Sequence, residues 1–218
     1  MSGLKSAMKT RVTEKVLVDP GAPLPVPNQS RDAIDDILAD AAFAPFHYPC
    51  APDHREHLPS MVPWRTYKFD AANCRALLSE IIDREEASII RNMLAAADWL
   101  ILATWTPDVE KGEAAETDNA DPFRGTLRNM EHIAAGSAMI QNMLLLATEA
   151  GWRSYWSSGG LLKSDEIFTR CGIPTREILL GAVFLSPAEA AADVDRRPGK
   201  LRDSRGAVSD WSRWVEVA

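Results

Sequence analysis

At 218 residues, with 46% hydrophobic and 25% charged residues, the chain has the composition of an ordinary globular protein with one substantial core. A net charge of −7 argues against a nucleic-acid partner. Its three cysteines, Cys50, Cys74 and Cys171, fit neither a zinc spacing nor a disulfide framework and suit a reducing cytoplasm.

The N-terminal stretch MSGLKSAMKTR is charged and amphipathic, without the apolar core of a signal peptide, and the spacing predicts a helix over residues 3–10. The connection DPGAPLPVPNQS cannot be helical and is expected to be extended. Ser30 is the expected N-cap of a second helix, where Ile34, Ile37, Leu38 and Ala41 recur at helical spacing and Asp32, Asp35, Asp36 and Asp40 face away. Residues 48–63 hold four prolines and read as an irregular surface segment. WRTYKF, at 64–69, alternates as a strand should, and residues 71–82 and 84–97 read as helices.

WLILATW, at 99–105, is apolar throughout and suits a central strand. Residues 107–125 are polar and acidic and form a long loop or a lid. The next helix, 127–150, is apolar nearly all round and stops at Gly151. Its most apolar part, 133–147, is shorter than a membrane span and carries Gln141 and Asn142 at its centre, so it reads as a buried helix. RSYWSS makes a short strand, Ser164 caps a helix over 164–171, and EILLGAVFLS, at 177–186, is another buried strand. The end, SDWSRWVEVA, reads as a small helix or turn with an extended tail. Four or five strands among helices predict an α+β or α/β sandwich around one mixed sheet. A helix apolar on every side needs cover from several neighbours, which a second subunit would supply.

Several chemistries lack their usual marks. His47, His54 and His57, with Asp53 and Glu56 nearby, match no strong zinc spacing, and there is no HExxH. No GxSxG elbow, GxGxxG turn or Walker loop is present. Charge, by contrast, is unevenly spread. Residues 1–18 and 195–205 each carry a net +3, which leaves −13 on the rest, so the two basic ends could meet around one compact anion or remain solvated tails. Of seven tryptophans, Trp99 and Trp105 belong on a core strand, while Trp211 and Trp214 anchor the tail or an interface. Trp64 and Trp156 abut turns rich in Pro or Gly. In GWRSYWSSGGLL, at 151–162, large rings stand beside the most permissive residues, as in a backbone laid against a flat ligand.

Taken in order, MKTRVTEK, AAFAPFH, VPWRTYKFD, AAGSAMIQNMLLLATEAGW, YWSSGG, ILLGAVFLS and RRPGKLR resemble the FMN-dependent nitroreductase family. The family's basic Arg-x-Ser-x-Arg/Lys opening corresponds to 11–15, its Ala-Pro turn to Ala44-Pro45, its Pro-Trp to Pro63-Trp64, and the flavin loop of a compact subgroup to 156–159. Val12 and Thr13 depart from the usual Arg-Ser or His-Ser. Residues 48–61 are longer than the usual link, and a second Ala-Pro-Asp-His at 51–54 is an alternative counterpart of the turn.

The resemblance implies a single domain over 1–218, an α+β nitroreductase-like three-layer sandwich. Its central mixed, mostly antiparallel sheet would be flanked by helices, and it would form a homodimer with FMN at the interface. It implies that Arg11, Val12, Thr13, Lys15, Lys200 and Arg202 surround the FMN phosphate, and that Trp156, Ser157, Ser158 and Gly159 run along the ring. Pro45, Phe46 and His47 would approach that ring from the other subunit. NADH or NADPH would be the electron donor and a nitro compound, quinone or similar small molecule the acceptor, in ping-pong turnover, with no catalytic acid or base and no metal. The alternatives are other flavin chemistry, such as dehalogenation or flavin breakdown, and a non-catalytic flavin-binding dimer.

Overall fold

The computed structural model describes residues 3–56, 58–108, 125–189, 194–201 and 204–217. Its layers follow from two apolar strands. β3 (Trp99–Trp105) is buried along its whole length. Successive strand residues point to opposite faces, so Leu100 and Leu102 join one apolar cluster while Trp99, Ile101 and Ala103 join another. β5 (Ile178–Pro187) divides likewise, Ala182 and Phe184 to one side, Val183 and Leu185 to the other. Strands apolar on both faces need cover on both. One face is covered by α3 (Ala71–Glu80), α4 (Ser88–Ala96) and α6 (Asp165–Arg170), through Leu77, Leu78, Met93, Leu94, Ile167 and Phe168. The other is covered by α2 (Asp32–Ala41) and α5 (Leu127–Glu149), through Ile34, Ile37, Met139, Ile140 and Met143. The result is the three-layer α+β sandwich.

β2 (Trp64–Asp70) and β4 (Trp152–Ser157) complete a four-stranded sheet of order β2-β3-β5-β4, antiparallel in every ladder. Two further strands, β1 (Glu14–Leu17) and β6 (Asp195–Pro198), pair antiparallel as a separate ribbon, with Glu14 opposite Pro198 and Leu17 opposite Asp195. Thr13 ties this ribbon to the sheet edge through a parallel bridge to Ser154. The mixed character expected of the sheet is confined, among the described residues, to that bridge. The N-terminal helix α1 spans Leu4–Thr10.

Helix ends mostly follow their sequence signals. Ser164 Oγ accepts the Ile167 N–H at 3.4 Å, and α5 stops before Gly151, whose φ of 90° suits only glycine. The cap of α2 falls one residue later than expected: Arg31 is the N-cap, and Ser30 Oγ accepts the Asp32 N–H at 3.2 Å from just outside the helix. α5 is less enclosed than its composition suggests, since Leu127 and Met130 are more than half exposed. Among the described residues, no helix is long and apolar enough to cross a membrane.

Candidate functional site

The β1–β6 ribbon brings the two basic ends of the chain together. The Gly199 N–H donates to the Thr13 carbonyl at 2.7 Å, and Arg11 Nη1 donates to Thr13 Oγ1 at 3.1 Å. Glu14 Oε2 accepts from Arg196 at 2.8 Å and lies 3.8 Å from Arg153 Nε, which occupies the local carboxylate. Beyond it, Arg11, Lys200 and Arg205 line a cleft of about 460 Å³ with Val12, Thr13 and Gly199, and no carboxylate lines it among the described residues. Three cations and a hydroxyl around one hollow form a setting for a compact anion. Lys15 is not part of it: its Nζ lies 5.0 Å from the centre of the Tyr155 ring. Arg202 lies outside the described residues.

A second cleft, of about 360 Å³, shares Arg11 and Thr13 with the first and continues to Gln141, Leu144, Trp156, Ser158 and Leu180. Its aromatic wall is fixed. Trp156 Nε1 donates to the Leu180 carbonyl at 3.2 Å, and a Cβ at Gly181 would fall 1.8 Å from that nitrogen. The following turn is held by Ser157 Oγ, which accepts the Gly159 N–H at 3.1 Å. Gly159 has φ +97°, and a Cβ there would meet Leu179 Cδ2 at 2.2 Å. Glycine is therefore required twice over, by backbone and by space. Ser157 is buried, whereas Ser158 is exposed and borders the cleft.

Joined through Arg11 and Thr13, the clefts offer a cationic end and an apolar, aromatic end. That combination suits a ligand with a compact anion at one end and a flat ring at the other, which is the chemistry of FMN. Gln141 and Leu144 were not singled out from sequence; the signal was a glutamine at the centre of an otherwise apolar helix.

The remaining expected residues lie elsewhere on the chain. Phe46 packs edge-on against Trp64, with ring centres 5.8 Å apart, and Trp64 is a buried core residue. His47 Nδ1 is 3.4 Å from Glu131 Oε2. Glu131 stands ten residues before Gln141, or about 15 Å along α5. Within one chain, Pro45, Phe46 and His47 therefore do not reach the clefts. His57 lies outside the described residues, and among the described ones no group of three or more His, Cys, Asp or Glu is arranged to hold a metal.

No family model and no curated protein matches this sequence. Solved structures do. A nitroreductase-like family protein from Bacillus cereus aligns over 100% of this chain and 98% of its own, with TM-score 0.64 and 19% identity. An enone reductase catalysing a key step of gut-bacterial fatty acid saturation aligns over 99% of each chain, with TM-score 0.62 and 12% identity. A nitroreductase with bound FMN from Bacteroides fragilis aligns over 93% of this chain and 97% of its own, with TM-score 0.55 and 16% identity. The chain has the nitroreductase-like fold.

Proposed function

We propose that this chain is an FMN-dependent oxidoreductase that takes electrons from NADH or NADPH and passes them to a small electron-poor acceptor in ping-pong turnover. The observation that carries this reading is the pair of clefts joined at Arg11 and Thr13, cationic at one end and walled by Trp156 at the other. Bound FMN would supply hydride and electron transfer. The protein's part is to bind and orient. Arg11, Lys200 and Arg205 hold the phosphate with Thr13. Trp156, Ser158, Leu144 and Leu180 border the ring, and the Gln141 amide offers a donor and an acceptor to its polar edge.

On this reading residues 1–218 form one FMN-binding domain that works as a homodimer, with Pro45, Phe46 and His47 reaching the partner's ring. Exposed apolar side chains support a second subunit. Leu127 and Met130 on α5 are open, and in the tail Trp211 is 67% and Trp214 99% exposed. Nitro compounds and quinones are the expected acceptors, and the fold shared with an enone reductase adds activated carbon–carbon double bonds to the panel.

The test is to load the purified protein with FMN and follow NADH and NADPH oxidation with a nitroarene, a quinone and an enone in turn. Parallel double-reciprocal lines with at least one acceptor are expected. FMN-loaded protein that oxidises neither nucleotide with any acceptor would leave a flavin-binding dimer without this activity.

A further inference from the structure

The helix α5 has 23 residues and a single glycine, Gly136, which is buried near the middle. Glycine in a helix interior is less favourable than alanine, so helix formation does not account for it. Its surroundings do. A Cβ at position 136 would fall 2.5 Å from Leu180 Cδ1 and 3.8 Å from Trp64 Cβ, and among the described residues within 4 Å of nothing else outside α5. Carbon atoms in contact stand about 3.5–4.0 Å apart, so the tip of Leu180 already occupies the space of the missing side chain.

Leu180 has a second role on β5. It is half-buried, it borders the cleft of Gln141, Leu144 and Trp156, and its carbonyl accepts the Trp156 indole N–H. The residues on either side of it make contacts of the same kind. Leu179 Cδ2 fills the side-chain space of Gly159, and the Trp156 indole fills that of Gly181. Three consecutive residues of β5 thus each meet a neighbour across a contact where one partner is glycine. Two of these contacts fix the turn and wall already described. The third reaches α5 at Gly136, which does not itself line the cleft.

We propose that Gly136 sets the width of the cleft that takes the flavin ring, as a specificity-determining residue acting through Leu180. This inference rests on the flavin reading. The atom in the way of a side chain at 136 is the end of a flexible one, so rotation of Leu180 accommodates an alanine there without moving backbone. The helix stands on one side of Leu180 and the cleft on another, so the displaced isobutyl group takes room from the ring. A tricyclic ring then binds less well, whatever is attached beyond it. The anion end is spared, because neither Gly136 nor Leu180 lines it.

Fluorescence titration of Gly136→Ala with FMN, riboflavin and lumiflavin, which is the ring alone, tests this. All three should bind about tenfold more weakly than they bind the wild type. Leu180→Val removes the interfering carbon, so Gly136→Ala combined with Leu180→Val should bind each flavin as tightly as Leu180→Val alone. A general loss of stability would not be repaired in that way, and the double variant also decides the case where Gly136→Ala alone does not fold. Unchanged affinity in Gly136→Ala, a loss confined to FMN, or a double variant weaker than Leu180→Val would overturn the inference while leaving the flavin reading intact. Wild-type protein that binds none of the three flavins would contradict that reading, and the inference with it.

Discussion

Trp156 and Gly181 occupy one space: the indole, held by its bond to the Leu180 carbonyl, fills the volume that any side chain at 181 would need. The wall of the proposed ring site thus depends on a glycine in the adjacent strand β5. Gly181→Ala would push the indole off that bond, and overpacking of this kind costs about 1–3 kcal/mol. The variant should melt earlier and bind FMN more weakly, with a changed tryptophan emission spectrum. An unchanged melting temperature and emission would mean that the indole is free to move aside.

Removing one cation from the anion end should cost FMN far more than riboflavin, which has no phosphate. A charge-assisted hydrogen bond contributes about 1.5–3 kcal/mol, so Lys200→Ala or Arg205→Ala should weaken FMN about ten- to a hundredfold and leave riboflavin nearly unaffected. Lys15→Ala is the internal control, because its ammonium is turned toward Tyr155. Fluorescence titration of both flavins against the three variants reads this directly. Equal losses for FMN and riboflavin would move the phosphate elsewhere.

What the sequence made legible here was long or strongly patterned. β3 and β5 announce themselves by unbroken apolar runs, α5 by length, and α6 by its Ser164 cap. β1 and β6 escape such reading because each has four residues, several charged, and each is a strand only because the other pairs with it 180 residues away. The charge pattern allowed the same meeting of ends as one of two readings, beside solvated tails. Segment 48–63 was read as surface from its prolines, and most of its described residues are exposed; what the sequence did not show is that Arg65, whose guanidinium satisfies four carbonyls, ties its backbone to the start of β2. A charged residue inside an alternating strand gives no hint of which backbone atoms it will find. The expected loop over 107–125 lies almost wholly outside the described residues.

Arg65 should therefore be among the most sensitive positions outside the clefts. Arg65→Met leaves four backbone carbonyls short of a donor, a loss of about 3 kcal/mol when such a network is broken. Urea unfolding should show that loss, and limited proteolysis should find new cleavage within 50–62. A stable, protease-resistant variant would show that the segment holds itself together.

Asp70 offers a pH-dependent test of the α3 cap. Its Oδ1 accepts the Asn73 N–H at 2.9 Å and its Oδ2 meets Arg31 Nη2 at 2.5 Å. Burial is the largest single influence and pushes the carboxyl up, but the bonds from Asn73 and Arg31 together hold it below its usual value of 3.8. A lowered folded pKa means that the stabilisation is present above the unfolded value and is lost as pH falls through the folded one. Asp70→Ala should cost about 1 kcal/mol at neutral pH. The gap to wild type should narrow as pH falls below 3.8, as followed by chemical denaturation across that range. A gap that stayed constant would remove the carboxylate from the account.

The central claim, that the two joined clefts hold FMN, is tested most directly by the visible absorption spectrum of the purified protein, followed by release and identification of the bound cofactor. The account predicts flavin bands and FMN in the released fraction. A colourless protein that also leaves the fluorescence of added FMN unchanged would contradict it.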